Sequence, residues 1–143
     1  MNKASHILLP LCALATLSAS SSAIAGMDPA ALISRPAGYV PRAGDPTAGK
    51  VLFSDTKLSS NGMSCATCHA KYGAFNPTFA QPYPHTVAMS KNQFHHDPVY
   101  LDEMIQGCMI GPMATKPLPW NSQELADLTA YMAIYQKGYK PAR

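Results

Sequence analysis

Residues 65–69 of the 143-residue chain read Cys-Ala-Thr-Cys-His, and their types and spacing carry the most specific chemistry in the sequence. A C-x-x-C-H sequence is the attachment signature of c-type haem. Thiols at this spacing add to the two vinyl groups of one porphyrin as thioethers, and the histidine that follows is carried beneath the ring as the proximal iron ligand. We therefore predict one covalent haem c, with Cys65 and Cys68 as thioethers and His69 on the iron.

The surroundings of the C-x-x-C pair disfavour its other uses. A thioredoxin-like redox motif requires a βαβ context, and a zinc site requires a second pair of ligands. The sequence offers neither. Of the four cysteines, Cys12 lies in an N-terminal segment that we expect to be removed, so Cys108 is the one thiol left after haem attachment. We therefore expect no intrachain disulfide.

The N terminus has the pattern of a secretory signal. Lys3 precedes an apolar stretch at residues 7–17, and small residues then lead to Ala-Ile-Ala at 23–25. The apolar stretch is shorter than the ~20 residues that a membrane-spanning helix requires. We expect cleavage after Ala25 and export to the periplasm. Loss of Lys3 lowers the net charge of +3 by one.

The composition also argues against one class of function, nucleic-acid binding. Charged residues make up only 13% of the chain, and the small positive charge is not clustered. A nucleic-acid-binding surface would require Lys and Arg concentrated on one face, so we expect no nucleic-acid partner. The 13 prolines indicate that much of the chain is loop.

One helix is expected before the haem motif and another after it. Asp45 can cap a helix that begins at Pro46, and residues 51–53 would face the core and the haem. Another helix is predicted over residues 98–107, ended by Gly107. A long Pro-rich stretch at residues 70–96 lies between the motif and this helix, and we expect it to wrap one haem edge.

The C-terminal region predicts a third, longer helix over residues 122–137. Asn121 can cap this helix, and Gly138 can stop it. Four apolar or aromatic side chains recur at helical spacing and form one core-facing side. They are Leu125, Leu128, Met132 and Tyr135.

This order of elements around a C-x-x-C-H motif resembles the class I cytochrome c family. Residues 49–53 look like that family's N-terminal helix, and residues 122–137 look like its C-terminal helix. The resemblance implies an all-α, cytochrome c-like fold of three to five helices around one covalent haem, with a long Pro-rich loop. The expected domains are a signal peptide at 1–25, an extended N-terminal arm at 26–44 and a cytochrome c domain at 45–143.

Two residues lead the candidates for the distal iron ligand. Three histidines and three other methionines are less favoured, namely His85, His95, His96, Met89, Met104 and Met109. Met113 lies between the third and C-terminal helices, where class I cytochromes carry a distal Met. Residues 108–118 are similar to the distal segment of SoxA and thiosulfate dehydrogenase cytochromes, in which a Cys near a helix end binds the iron. The chain also resembles, in size, the small anammox heterodimeric His/Cys cytochromes. We favour Cys108, keep Met113 as the alternative, and regard Lys116 as a candidate charge to hold the thiolate.

The predicted ligands determine the expected function. An anionic sulfur donor stabilises ferric iron and lowers the reduction potential. We therefore expect a periplasmic, low-potential, one-electron carrier that docks on a redox partner protein, rather than an enzyme. The alternatives are a redox sensor or a haem protein that binds NO or CO, and a haem subunit of a sulfur-compound-oxidising complex. A homodimer or heterodimer is compatible with each of these.

Overall fold

The computed structural model describes residues 28–141. The predicted signal peptide and its cleavage site after Ala25 lie outside the described residues. Within residues 28–141 the chain forms α-helices and short helical turns, and no strand beyond a single bridge between His85 and Val99. The five α-helices are α1 (Pro29–Ile33), α2 (Pro46–Phe53), α3 (Cys65–His69), α4 (Leu101–Ile110) and α5 (Gln123–Gly138). The predicted all-α fold is confirmed.

Short helical turns connect these helices along the Pro-rich stretch and before the haem motif. Three of them are 3₁₀ turns, and the fourth, which leads towards α4, is π-helical. They are Thr56–Leu58, Ala70–Tyr72, Pro77–Ala80 and Ser90–Phe94. None of the helices in the described part of the chain is long and apolar enough to cross a membrane.

The main helix crossing joins α2 to α5. Asp45 caps α2 as predicted, because its side chain accepts the backbone N–H of Thr47 at 2.8 Å. The backbone N–H of Asp45 in turn donates to the Asp127 carboxylate on α5 at 2.7 Å. Gly49 is buried at the crossing, and a Cβ there would overlap the backbone carbonyl of Asp127. A glycine at this position therefore allows the two backbones to approach closely.

The expectation that residues 51–53 all face the core is wrong for Val51. Phe53 is buried and packs edge-on against Tyr131 of α5 at 5.2 Å, and Leu52 packs beside the core. Val51, however, is 70% exposed. Consecutive helical residues point about 100° apart, so three in a row cannot share one face.

Helix α4 lies three residues later in the chain than the predicted helix. It begins at Leu101 because the Glu103 carboxylate accepts the backbone N–H of Tyr100 at 2.9 Å, which caps the first turn. Gly107 does not end the helix. A Cβ at Gly107 would lie 3.3 Å from the buried ring of Phe94, so this glycine makes room for close packing. The later end at Ile110 brings Cys108 into the last turn of α4.

Helix α5 follows the prediction closely. Ser122 rather than Asn121 caps it, since its hydroxyl accepts the backbone N–H of Leu125 at 3.2 Å. Leu125, Leu128 and Met132 are buried. They form one core with three side chains from other segments, namely Phe53, Phe79 and Ile105. The predicted apolar face of this helix is therefore confirmed.

The expected extended arm at residues 26–44 contains a short helix. Asp28 caps α1 by accepting the backbone N–H of Ala30 at 3.0 Å, and Pro29 occupies the first helical position. A five-residue helix is too short for apolar periodicity to reveal, although the Asp-Pro cap was a signal. Ile33 is fully buried, and Arg35 forms a 2.9 Å ion pair with buried Asp102 of α4. The N-terminal segment is therefore fastened to the helix that carries Cys108.

Glu103 joins the N-terminal segment to the start of α4. Its carboxylate accepts the backbone N–H groups of Arg35 and Tyr100 at 2.9 Å each, and His96 Nε2 lies 2.9 Å from it. Burial alone would raise the pKa of Glu103, but these hydrogen bonds and the His96 charge outweigh burial and hold the pKa below its usual value. The ionised form is therefore the one that stabilises the fold.

We expect Glu103→Gln to lower the free energy of unfolding at pH 7 by ~1–3 kcal/mol, because an amide replaces a carboxylate that accepts several hydrogen bonds. A lowered folded-state pKa contributes stability above the ordinary glutamate pKa, and this contribution is lost as the pH falls through the lower, folded-state value. The gap between wild type and variant should therefore narrow in acid. Denaturant titrations at several pH values measure it, with the exposed Glu124→Gln as control; a gap that is constant with pH would contradict the prediction.

Candidate haem-binding site

A cavity of about 270 Å³ lies between α3, the Pro-rich stretch, α4 and α5. Its volume is near the lower end of the ~300–1,000 Å³ range of small-molecule pockets. Most of its lining is apolar, which suits a flat, largely hydrophobic ligand. The apolar and aromatic lining residues are Met63, Ala74, Phe75, Phe79, Tyr83, Val87, Met89, Leu101, Met104, Ile105, Pro112, Met113, Leu128 and Met132.

The C-x-x-C-H motif forms one wall of this cavity on the short helix α3. The helix begins after Ser64, whose backbone N–H donates to the Thr67 hydroxyl at 2.9 Å. Cys65 is partly buried and Cys68 is exposed, both line the cavity, and neither is in a disulfide. Burial raises the pKa of the Cys65 thiol to about 11. Both sulfurs are therefore available for covalent attachment of a group in the cavity.

His69 has the orientation that a metal-binding histidine requires. Its Nδ1 lies 3.1 Å from the carbonyl oxygen of Gly73. A carbonyl can only accept, so Nδ1 carries the proton and Nε2 keeps its lone pair in the neutral ring. Burial lowers the pKa of His69, partly offset by the Gly73 hydrogen bond, which favours the neutral, metal-binding form at pH 7. The imidazole stacks on Phe75 with ring centres 4.1 Å apart.

The C-terminal helix holds the backbone of the motif in place. The Tyr135 hydroxyl donates to the carbonyl oxygen of His69 at 2.8 Å and accepts the backbone N–H of Tyr72 at 2.9 Å. Gly138 ends α5 beside the Tyr72 hydroxyl, where a Cβ would overlap that oxygen. The last turn of α5 therefore contacts both the motif and the helical turn that follows it.

Both candidate distal ligands line the cavity. Cys108 is partly exposed towards the cavity from the last turn of α4, whereas Met113 is 3% exposed. One turn carries both residues, since the backbone N–H of Met113 donates to the carbonyl oxygen of Cys108 at 3.1 Å. The geometry therefore keeps both Cys108 and Met113 as candidates.

The protein environment of Cys108 favours its thiol form. Burial, followed by the charges of Cys65 and Cys68, raises the pKa of Cys108 to about 12. The predicted support from Lys116 is not found: its side chain is exposed, and no cationic side chain within residues 28–141 lowers the pKa of the thiol. A thiolate at Cys108 would therefore depend on the positive charge of a bound metal.

Comparison with known protein families agrees with this site. A family model described as "SoxA/TsdA, cytochrome c domain" matches residues 48–140, more than half of the chain. The chain belongs to this family. The SoxA/TsdA-type cytochrome c domain implies covalently bound haem c and a role in electron transfer. Comparisons with curated proteins and with solved structures each gave no match.

The cavity fits the haem that the family implies. It offers two free thiols at the attachment spacing and a correctly oriented imidazole, within apolar walls. Of the aromatic residues in the Pro-rich stretch, Phe75, Phe79 and Tyr83 line the cavity, while Phe94 packs against Gly107 of α4. His95 is exposed and His96 pairs with Glu103, so neither contributes to the lining.

Sequence reasoning gave little weight to His85, which the structure brings into the cavity lining. This residue is 8% exposed, and its backbone pairs with Val99 just before α4. A contact between residues 14 positions apart leaves no periodic signal in the sequence. The only available hint was its type, since histidine is a common ligand and hydrogen-bonding residue.

Proposed function

We propose that this SoxA/TsdA-type cytochrome is an exported monohaem protein that carries one electron to or from a redox partner in the periplasm. Cys65 and Cys68 hold the haem, His69 is the proximal ligand and Cys108 is the distal ligand. When bound, the haem supplies a one-electron Fe(III)/Fe(II) couple. The chain's own residues attach the haem, exclude water from it and set its potential.

The observation that supports the proposal most is that one apolar cavity is lined by all four residues. Three of the four carry sulfur, since Cys65, Cys68 and Cys108 all line this cavity. A single C-x-x-C-H motif supports a single haem. Cys108 is favoured over Met113 because it presents surface to the cavity and lies near a helix end, as in the family pattern.

The charge of the cavity favours a carrier over an enzyme acting alone. Among residues 28–141, none of those lining the cavity is Asp, Glu, Lys or Arg. An anionic substrate such as thiosulfate would therefore find no fixed cationic side chain to bind and orient it. Cys68 is exposed, so the attachment edge of the haem would lie near the surface, where a partner can dock.

The deciding experiment combines a mass measurement with spectra of the oxidised and reduced holoprotein. We expect the mature chain to start at Gly26 and to carry one covalent haem, and the ferric protein to show a low-spin EPR spectrum typical of thiolate ligation. Two haems per chain would contradict the monohaem proposal, and a thioether-type spectrum would assign Met113. Binding of CO by the reduced protein would favour the gas-binding alternative instead.

The family membership favours a second function, as the haem subunit of a sulfur-compound-oxidising complex. The cytochromes that give the family its name are linked to sulfur oxidation, and the missing cationic residues could come from a partner subunit. Under this alternative, thiosulfate reduces the haem only when the partner is present. Equal and slow reduction with and without cell extract would support the simple carrier.

A further inference from the structure

His85 lines the cavity and carries an unpaired polar atom. Its Nε2 is buried, and within residues 28–141 it is the one buried side-chain nitrogen or oxygen without a hydrogen-bond partner. Buried polar atoms in folded proteins are nearly always paired, because an unpaired one costs ~1–3 kcal/mol. The group that fills the cavity should therefore supply the missing partner.

The other contacts of His85 fix its ring and leave Nε2 as its free nitrogen. Its Nδ1 lies 3.2 Å from the carbonyl oxygen of Pro82, which can only accept, so Nδ1 carries a proton. The backbone of His85 exchanges two hydrogen bonds with Val99, at 3.3 and 3.1 Å, and the ring lies against Tyr83 with centres 4.1 Å apart. Nε2 is therefore the nitrogen left for the occupant of the cavity.

The position of His85 along α4 shows which part of a haem it would meet. Val99 precedes the first residue of α4, Leu101, whereas Cys108 lies in the last turn. At 1.5 Å per residue, the two ends are ~10 Å apart. The backbone of His85 therefore lies by the first end of α4, whereas iron bound near Cys108 or Met113 would lie by its last turn. At that distance from the iron, the polar groups of a haem are its propionate carboxylates.

We propose that His85 Nε2 binds a haem propionate, with one proton shared between the imidazole and the carboxylate. This assignment rests on the proposed haem site. Since no lysine or arginine lines the cavity among the described residues, His85 is placed to balance the propionate charge. Because Nδ1 already donates to Pro82, Nε2 must either donate as part of an imidazolium or accept from a protonated carboxyl. In both forms the pair holds one proton.

This shared proton couples reduction to pH. Reduction of a haem held here would bring one electron from the redox partner and add one negative charge beside the pair, so the pair would bind its proton more tightly and would take one from solvent if it had been lost. The other titratable groups facing the cavity are Tyr83, which touches the ring, and Cys65, Cys68, His69 and Cys108. Two of these are thioethers in the holoprotein and two are assigned to the iron.

The test is a potentiometric titration of the holoprotein between pH 5 and 9, with His85→Gln and the control His95→Gln. We expect the reduction equilibrium constant of the wild type to fall by up to tenfold per pH unit (~59 mV) over part of this range. Gln can donate a hydrogen bond but cannot titrate, so the His85→Gln protein should keep the ferric EPR spectrum and lose most of the pH dependence. The exposed His95→Gln should behave as wild type.

Three results would overturn the assignment. They are a wild-type potential independent of pH, equal pH dependence in His85→Gln, or a changed ferric EPR spectrum in His85→Gln, which would make His85 an iron ligand. If the variant does not yield holoprotein, resonance Raman of the wild type provides the same test, since the propionate bending mode should shift over that pH range and an unchanged mode overturns the proposal. Wild-type protein without covalent haem would overturn both this assignment and the proposed function.

Discussion

The double substitution Cys65→Ser, Cys68→Ser is expected to give a protein with no covalently bound haem and with little stable structure. Serine hydroxyls do not add to the vinyl groups, so attachment is lost completely. The cavity of about 270 Å³ then loses its occupant, and at ~24 cal/mol per Å³ an empty cavity of this size costs ~6 kcal/mol. That cost is comparable with the ~5–15 kcal/mol total stability of a small domain. Haem staining of a denaturing gel and near-UV circular dichroism measure the two effects.

A matched control is Cys108→Ser, which alters a cysteine of the same cavity that is not part of the attachment motif. This variant should keep covalent haem, and its gel staining should equal that of the wild type. Covalent haem in the double variant, or its loss in Cys108→Ser, would contradict the assignment of the attachment residues.

The sequence correctly predicted the helices whose bounds depend on residues close to them in the chain. Asp45 and Pro46 define the start of α2 through a cap and a fixed proline φ, neither of which depends on the rest of the chain. The buried face of α5 follows from helical spacing over 16 residues, long enough for the period to be unambiguous. The all-α fold followed from these elements together with the haem motif.

The helix bounds that were predicted wrongly are those that depend on contacts between residues distant in the sequence. Gly107 was expected to stop a helix, but its missing Cβ instead admits the ring of Phe94, which is distant in sequence. The start of α4 depends on Glu103, whose partners include Arg35 from the N-terminal segment. In a sequence pattern, a glycine or a charged residue indicates the end of a helix. The pattern alone does not distinguish a helix end from a site of close packing.

The residues of the candidate site are likewise of two kinds, those predicted from local spacing and those placed by tertiary packing. Cys65, Cys68 and His69 lie within five consecutive residues, and their spacing alone indicates covalent haem attachment. These residues could therefore be predicted without a structure. The positions of Cys108 and His85 in the lining of the same cavity depend on how α4 packs. The sequence suggested Cys108 through family resemblance, whereas His85 became prominent only because the structure places it in the cavity lining and leaves its Nε2 unpaired.

Cys108→Met is expected to raise the reduction potential and to remove the thiolate signature from the ferric EPR spectrum. A thiolate places a negative charge on the iron and stabilises the ferric state, whereas a neutral thioether favours the ferrous state. Axial ligands set haem potentials over a range of about 0.8 V, and we expect a rise of ~0.1–0.3 V for this exchange. Potentiometric titration and EPR of the two holoproteins at one pH measure the change.

Met113→Leu is the matched control, because it removes the other sulfur ligand candidate from the same turn while keeping an apolar side chain of similar volume. Its potential and EPR spectrum should stay those of the wild type. The reverse pattern, in which Cys108→Met is silent and Met113→Leu changes both readouts, would assign the iron to Met113 and make this cytochrome a higher-potential carrier. Because Cys108 has no cation among the groups that shift its pKa, a thiolate spectrum in the wild type would mean that ferric iron itself holds the sulfur deprotonated.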